Sequence, residues 1–200
     1  PPRSTLFPYT TLFRSRIAAP SPIFSYLWLL LMGRDNDKLK WKKTWSITNH
    51  ARSKVRLQND SIAFSIFGLN EEDAQLILSE CDFQYDKKLF TKLDSKGFWR
   101  VDKKANPELR HTVLTLVAFH DLEQKIEECG GDRDKGIEAF LSQNDGEGWM
   151  LPETLRLADY GLGHDERARH PQPVASRLGP RFYDWQLAQT AEESWRECHL

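Results

Sequence analysis

Basic and aromatic side chains alternate between Arg34 and Arg56. This stretch holds eight Lys or Arg residues and two Asp residues, a local excess of six positive charges, with tryptophans between the lysines. Lys and Arg neutralise phosphates and release counterions, and aromatic rings stack on exposed bases. We therefore predict a contact with the phosphate backbone of DNA or RNA, made by Lys38, Lys40, Trp41, Lys42, Lys43, Trp45, Arg52, Lys54 and Arg56. The alternative is a solvated helix face with both tryptophans packed in the core.

A second group of chemically capable residues is His164-Asp165-Glu166, which follows two glycines in Gly161-Leu-Gly163. A potential base beside two carboxylates is a combination found in catalytic loops. However, no Ser or Cys nucleophile lies in a recognisable turn nearby, and His164 and Asp165 are adjacent, which does not suit a metal site. We interpret the group as a capped turn, and we keep a hydrolase centred on His164 as the second alternative function.

Other motifs for catalysis, metals and cofactors are absent from the sequence. His111 and His120 lie nine residues apart, so they are not metal partners one helical turn apart, and the widely spaced Cys81, Cys129 and Cys198 form no CxxC pair. No GxxxxGK[ST] or GxGxxG loop occurs. We predict no catalytic, cofactor-binding or metal-binding residue in this chain. Unpaired thiols are typical of a reducing compartment, so we expect a cytoplasmic protein.

Composition and apolar runs limit the class of protein. The net charge of -1 over 200 residues gives no global bias toward nucleic acid or membrane, so any charge argument is local. The apolar run from Ile23 to Met32 is shorter than the roughly 20 residues that a membrane-spanning helix needs. We expect no membrane partner and read this run as a buried segment, with a targeting or interfacial segment as the alternative.

Hydrophobic spacing and capping residues predict a mainly α fold, an irregular helical module in which residues near 83–101 allow a short β-hairpin. Val55, Ile62 and Ile66 fall on one helix face that stops at Gly68, and Asn70 caps a short helix. Further helices are predicted from Asn106 to Gly130, from Asp134 to Leu141 and from Pro152 to Gly161, and Thr190 with Glu193 forms a capping box. We divide the chain into four segments after the first fifteen residues. Residues 16–33 are an apolar segment expected to belong to a missing upstream domain, and residues 34–160 form a helical module. Residues 161–180 are an extended linker, and residues 181–200 are a helical segment that is expected to be cut short at its end.

Three passages carry a family resemblance. The first is IAFSIFGLNEED at 62–73 with ILS at 77–79, the second is FWRVDK at 98–103 with ELRHT at 108–112, and the third is EGWMLPETLRLADYGLGHD at 147–165 with SRLGPRF at 176–182. They resemble the C-terminal region of large class I, S-adenosylmethionine-dependent, adenine-specific DNA methyltransferases of the type IIG restriction and BREX-like phage-defence group.

The resemblance implies that the parent protein transfers a methyl group from S-adenosylmethionine to the N6 atom of adenine in a restriction-modification or phage-defence system. Such chemistry needs a Gly-rich cofactor loop and an Asn/Asp-Pro-Pro-aromatic loop for the flipped base. Neither is present, because Asn106-Pro107 lacks the second Pro and the aromatic. We therefore expect a C-terminal accessory fragment that contacts double-stranded DNA, with no cofactor of its own and its methyltransferase domain missing upstream. A non-enzymatic helical protein-interaction module is the first alternative.

The first fifteen residues are predicted to be foreign to the natural protein. Thr5 to Ser15, TLFPYTTLFRS, resembles the translation of a short-read sequencing adapter, and all eleven codons match. We therefore interpret residues 1–15 as adapter-derived and exclude them from reasoning about the fold.

Overall fold

The computed structural model describes residues 45–79, 105–163, 166–190 and 192–193. Five α-helices lie in these ranges: α1 at Asn49–Ile66, α2 at Glu71–Ser79, α3 at His111–Glu128, α4 at Arg133–Gly146 and α5 at Asp184–Ala188. A two-stranded antiparallel sheet joins β1, Thr154–Leu155, to β2, Gln172–Pro173, with Thr154 opposite Pro173. The prediction of a mainly α fold is confirmed. The predicted hairpin near 83–101 and the apolar run from Ile23 to Met32 lie outside the described residues.

Local capping signals explain where α1 and α2 begin and end. The Thr48 hydroxyl accepts the Ala51 N–H at 3.1 Å at the start of α1, and Gly68 adopts a left-handed φ of 68° after its last turn. Asn70 and Asp73 then exchange hydrogen bonds, in which the Asp73 N–H donates to Asn70 Oδ1 at 2.8 Å. The predicted stop and the predicted cap are confirmed.

Helix α3 begins later than the sequence predicts. The predicted start at Asn106 is wrong, because Pro107–Leu109 forms a separate 3-10 turn and Arg110 has an extended backbone, with φ −73° and ψ 136°. The carboxylate of Glu108 is buried in this turn instead of lying on an exposed first helical turn. The predicted end is confirmed, since the Gly131 N–H donates to the Ile126 carbonyl and Gly130 and Gly131 are both left-handed.

Helix α4 packs closely against α3. Asp132 caps it by accepting the Lys135 N–H at 3.1 Å, and a Cβ added at Gly136 would lie 2.5 Å from Ile126 Cγ1. The helix is broken near its end, where Asn144 and Asp145 are left-handed. A glycine at position 136 is therefore what allows the two helix backbones to approach.

The region after α4 is less helical than predicted. The predicted helix from Pro152 is wrong, because residues 154–155 form β1 and only Leu157–Tyr160 forms a 3-10 turn, which ends at the left-handed Gly161. Residues 161–180, predicted to be an extended linker, contain the 3-10 turns Arg167–Arg169 and Ala175–Leu178 on either side of β2. Apolar side chains anchor this stretch, because Ala168 and Val174 are buried.

The chain divides into two compact units, residues 1–59 with 178–200 and residues 60–177. The core of the second unit is formed by α3, α4 and the segment that follows them. Phe119 contacts Phe64 edge to face at 5.6 Å between ring centroids, and Phe140 stacks on Trp149 at 6.2 Å. In the first unit, the Thr48 hydroxyl donates to the Arg181 carbonyl at 2.9 Å, and a ring nitrogen of His50 lies 3.1 Å from the Gly179 carbonyl.

Among the described residues, no helix is both long enough and apolar enough to cross a membrane.

Candidate functional site

Four of the nine predicted DNA-binding residues lie in the part of the chain that the structure describes. Trp45 and Lys54 are buried, with 3% and 6% of their surface exposed, so they present little surface to a ligand. Arg52 is half-buried and donates from Nη1 to the Ser46 carbonyl at 3.4 Å, whereas Arg56 is exposed. The other five, Lys38, Lys40, Trp41, Lys42 and Lys43, lie outside the described residues.

Two of the predicted DNA-binding arginines lie on the first two turns of α1. Arg52 and Arg56 are four residues apart, so both project from one side of the helix. The first turn of α1 contains no acidic residue, and the whole helix contains one acidic residue, Asp60. Within the described ranges, Arg56 has no ion pair. Arg52 therefore lies on the first turn of α1, near the positive end of the helix dipole, and Arg56 lies one turn further along the same side.

The His164-Asp165-Glu166 group, interpreted as a capped turn with a hydrolase centre as the alternative, is only partly described. His164 and Asp165 lie outside the described residues, and Glu166 is exposed, with Oε1 2.7 Å from His170 Nε2 and Oε2 3.9 Å from Arg169 Nη1. Glu166 thus contacts the Arg169 and His170 side chains on the surface, at the end of the 3-10 turn that follows.

The two helix histidines each contact a carboxylate. His111 Nε2 lies 2.7 Å from Asp60 Oδ2, and His120 Nδ1 lies 2.5 Å from Glu71 Oε1. Within the described ranges, no three His, Cys, Asp or Glu side chains form a group that could hold a metal ion. These histidines join α3 to α1 and to α2.

A cluster around Asp121, which the sequence did not suggest, connects α3 to the segment after α4. Trp149 Nε1 donates to Asp121 Oδ2 at 2.7 Å, and the Tyr160 hydroxyl is a second hydrogen-bonding partner of this carboxylate. Burial raises the pKa of Asp121, although the bond from Trp149 opposes the shift. Burial beside Asp121 likewise raises the pKa of Tyr160 to about 12. The Tyr160 phenol therefore stays protonated at neutral pH and can donate to the carboxylate.

A second cluster centres on Glu108, whose side chain is fully buried. Arg167 makes a forked contact with it, with Nη2 2.6 Å from Oε1 and Nε 3.4 Å from Oε2. Arg177 Nη1 lies 3.2 Å from the same Oε1 atom. In the amide orientation that satisfies both ends, the Asn106 side-chain oxygen accepts from Arg177 Nη1 at 2.8 Å and from Nη2 at 3.2 Å.

Sequence reasoning missed the Glu108 cluster because its members are far apart in the chain. Arg167 and Arg177 lie 59 and 69 residues from Glu108. The local signal was also misleading, since Glu108 directly after a proline is typical of an exposed first helical turn.

No family model matches this chain, and neither the curated proteins nor the solved structures include a significant match to it.

Proposed function

We propose that this chain is a C-terminal accessory part of an adenine-N6 DNA methyltransferase of a restriction-modification or phage-defence system, and that it contacts the backbone of double-stranded DNA. The observation that carries the proposal is the exposed Arg56 guanidinium, one turn from Arg52 at the positive end of α1. Guanidinium groups on one helix face suit phosphates, because the fork of N–H donors matches phosphate oxygens.

The surrounding sequence supports the same role. Residues 34–56 carry six excess positive charges, and Arg52 and Arg56, which are not buried, lie on the first two turns of α1. Contacts of this kind position an enzyme on the duplex without reading its sequence.

The proposed division of labour assigns the chemistry to a different part of the parent protein. A methyltransferase domain elsewhere in the parent protein would bind S-adenosylmethionine and the flipped adenine, and this chain would supply no catalytic or cofactor-binding residue. A cytoplasmic location follows from this function, since the DNA substrate is there.

The proposal is tested by measuring the affinity of the whole chain for a fluorescent DNA duplex between 50 and 200 mM salt, roughly the range over which backbone binders lose most affinity. The R52Q/R56Q variant should bind more weakly, with a logarithmic salt slope shallower by up to about 2, at ~0.9 per phosphate contact. R133Q/R156Q is a matched control, because it removes the same charge from exposed positions outside α1. Equal slopes for the wild type and R52Q/R56Q would refute the role of α1.

A helical protein-interaction module is the second candidate, and exposed apolar side chains favour it. Phe67, just after α1, is 79% exposed, and Ile77 on α2 is 45% exposed. Large exposed apolar groups mark interaction surfaces when they cluster. In this case F67S/I77S should weaken self-association measured by sedimentation, with DNA binding unchanged, whereas no change in sedimentation would count against the module.

A further inference from the structure

Helix α1 carries a single carboxylate, Asp60, which lies four residues after Arg56. Side chains four residues apart on a helix are neighbours, with about 5–6 Å between their Cβ atoms, and oppositely charged ones form ion pairs. An ion pair between Arg56 and Asp60 would compete with a phosphate for the guanidinium group. Within the described ranges, however, no ion pair or hydrogen bond joins these two side chains.

The Asp60 carboxylate is held by helix α3 instead. Its Oδ2 atom lies 2.7 Å from Nε2 of His111, the first residue of α3. An ionised carboxylate only accepts hydrogen bonds, so the ring nitrogen that faces it carries the proton and donates it. The His111 and Asp60 side chains are 37% and 42% exposed, and Arg56 is exposed as well. The one carboxylate of α1 that is placed to pair with Arg56 is therefore already engaged.

A second contact of the same kind provides a comparison. His120, also on α3, lies with Nδ1 2.5 Å from Glu71 Oε1 on α2. Helix α2 contains no basic residue, so its Glu71 has no arginine or lysine on its own helix to compete for. The His120 contact joins two helices, whereas the His111 contact also removes a competitor of a basic side chain.

We propose that His111 is a positioning residue for the phosphate contact of α1. By holding Asp60, it keeps this carboxylate from pairing with Arg56 and leaves the guanidinium group available. Without His111, the carboxylate turns to Arg56, and a phosphate has to displace it before it binds. The ligand of Arg56 is taken to be a DNA backbone phosphate, so the proposal rests on the proposed function.

Duplex binding by the whole chain at about 50 mM salt tests the proposal. H111A should weaken binding by about twofold, the equivalent of one ion pair between residues four apart on a helix. H111Q should bind as the wild type does, because its amide N–H lies at about the distance of the ring Nε2 and still reaches Asp60. H120A is the matched control, since it removes the other histidine–carboxylate contact of α3, and its affinity should equal that of the wild type.

The decisive comparison removes the competing carboxylate. H111A/D60N and D60N should bind the duplex equally tightly, because His111 has no carboxylate to hold in either protein. A loss of affinity in H111A that persists unchanged in the D60N background would overturn the proposal, and so would equal affinity of H111A and the wild type. H111N, whose shorter side chain does not reach Asp60, replaces H111A if that variant does not fold.

The Arg56 side chain reports the same competition in the absence of DNA. Exchange of its Nε–H with water, followed by NMR and assigned with R56K, should slow by about twofold in H111A and recover in H111A/D60N. Unchanged exchange in H111A would overturn the proposal. A wild type that binds no DNA would refute the proposed function, and the exchange rates would still decide whether His111 keeps Asp60 from Arg56.

Discussion

Glu108 is buried while its two arginine partners are half-exposed, so removing the two sides of this cluster should have unequal effects on stability. In E108Q the arginines lose a charged acceptor but can turn to water, and the glutamine keeps one oxygen. In R167Q/R177Q the carboxylate stays in the interior without its two cationic partners. The double arginine variant should therefore be the less stable of the two.

The expected magnitudes follow from burial. We expect E108Q to lower the free energy of unfolding by about 1–2 kcal/mol, because half-exposed donors recover most of the loss through hydration. We expect R167Q/R177Q to lower it by about 3–5 kcal/mol, the usual effect of leaving a buried charge unpaired. Adding E108Q to the double variant removes that charge and should restore at least ~2 kcal/mol.

Urea unfolding of all four proteins, followed by tryptophan fluorescence at pH 7, measures these differences. The decisive comparison is between R167Q/R177Q and the triple variant that also carries E108Q. A triple variant more stable than the double confirms that the buried carboxylate is the costly group. A triple variant of equal or lower stability would refute the reasoning, because the arginines would then act independently of Glu108.

Three further predictions concern the second unit. The pKa of Asp121 in the folded protein is raised from 3.8, so protonation of this carboxyl group stabilises the folded state. This stabilisation is fully present below about pH 4 and is lost as the pH rises through the folded pKa. D121N should therefore lose less stability than the wild type between pH 4 and 7 in urea titrations, and parallel curves would contradict this. G136A should lower the free energy of unfolding by about 1–3 kcal/mol, because the alanine Cβ would lie 2.6 Å from the Ile126 Cα. This clash outweighs the better helix propensity of alanine. A melting temperature at or above that of the wild type would contradict this contact. N70A should cost about 1 kcal/mol through loss of the cap of α2, and an unchanged melting temperature would show that the cap is dispensable.

Helix ends were predictable where the signal lies within a few residues. Gly68 ends α1, Asn70 caps α2, and Thr190 and Glu193 exchange hydrogen bonds at 2.8 Å and 3.2 Å as predicted. Such caps form because the first N–H groups and last carbonyls of a helix need partners nearby in the chain.

Elements that depend on distant residues were not predictable in the same way. The turn at Pro107–Leu109 is separate from α3, and its Glu108 contacts Arg167 and Arg177 from the segment after α4. The large aromatic residues Tyr183 and Trp185 are 43% and 47% exposed. Local periodicity cannot indicate which of several apolar side chains finds a place in the core.

The candidate site shows the same limit. The local charge excess is visible in the sequence, but the sequence could not tell that Lys54 would be buried while Arg56, two residues later, would be exposed. The difference comes from the helical phase of α1, which turns positions 54 and 56 to different sides.

The most direct test of the central claim, that the basic segment contacts the DNA backbone, is the salt dependence of duplex binding by the whole chain and by K40Q/K42Q/K43Q. We predict that the logarithm of the affinity falls linearly with the logarithm of salt concentration, with a slope shallower by up to about 3 in the variant. Binding that is absent at low salt in a folded chain, or a slope that is the same in both proteins, would contradict it.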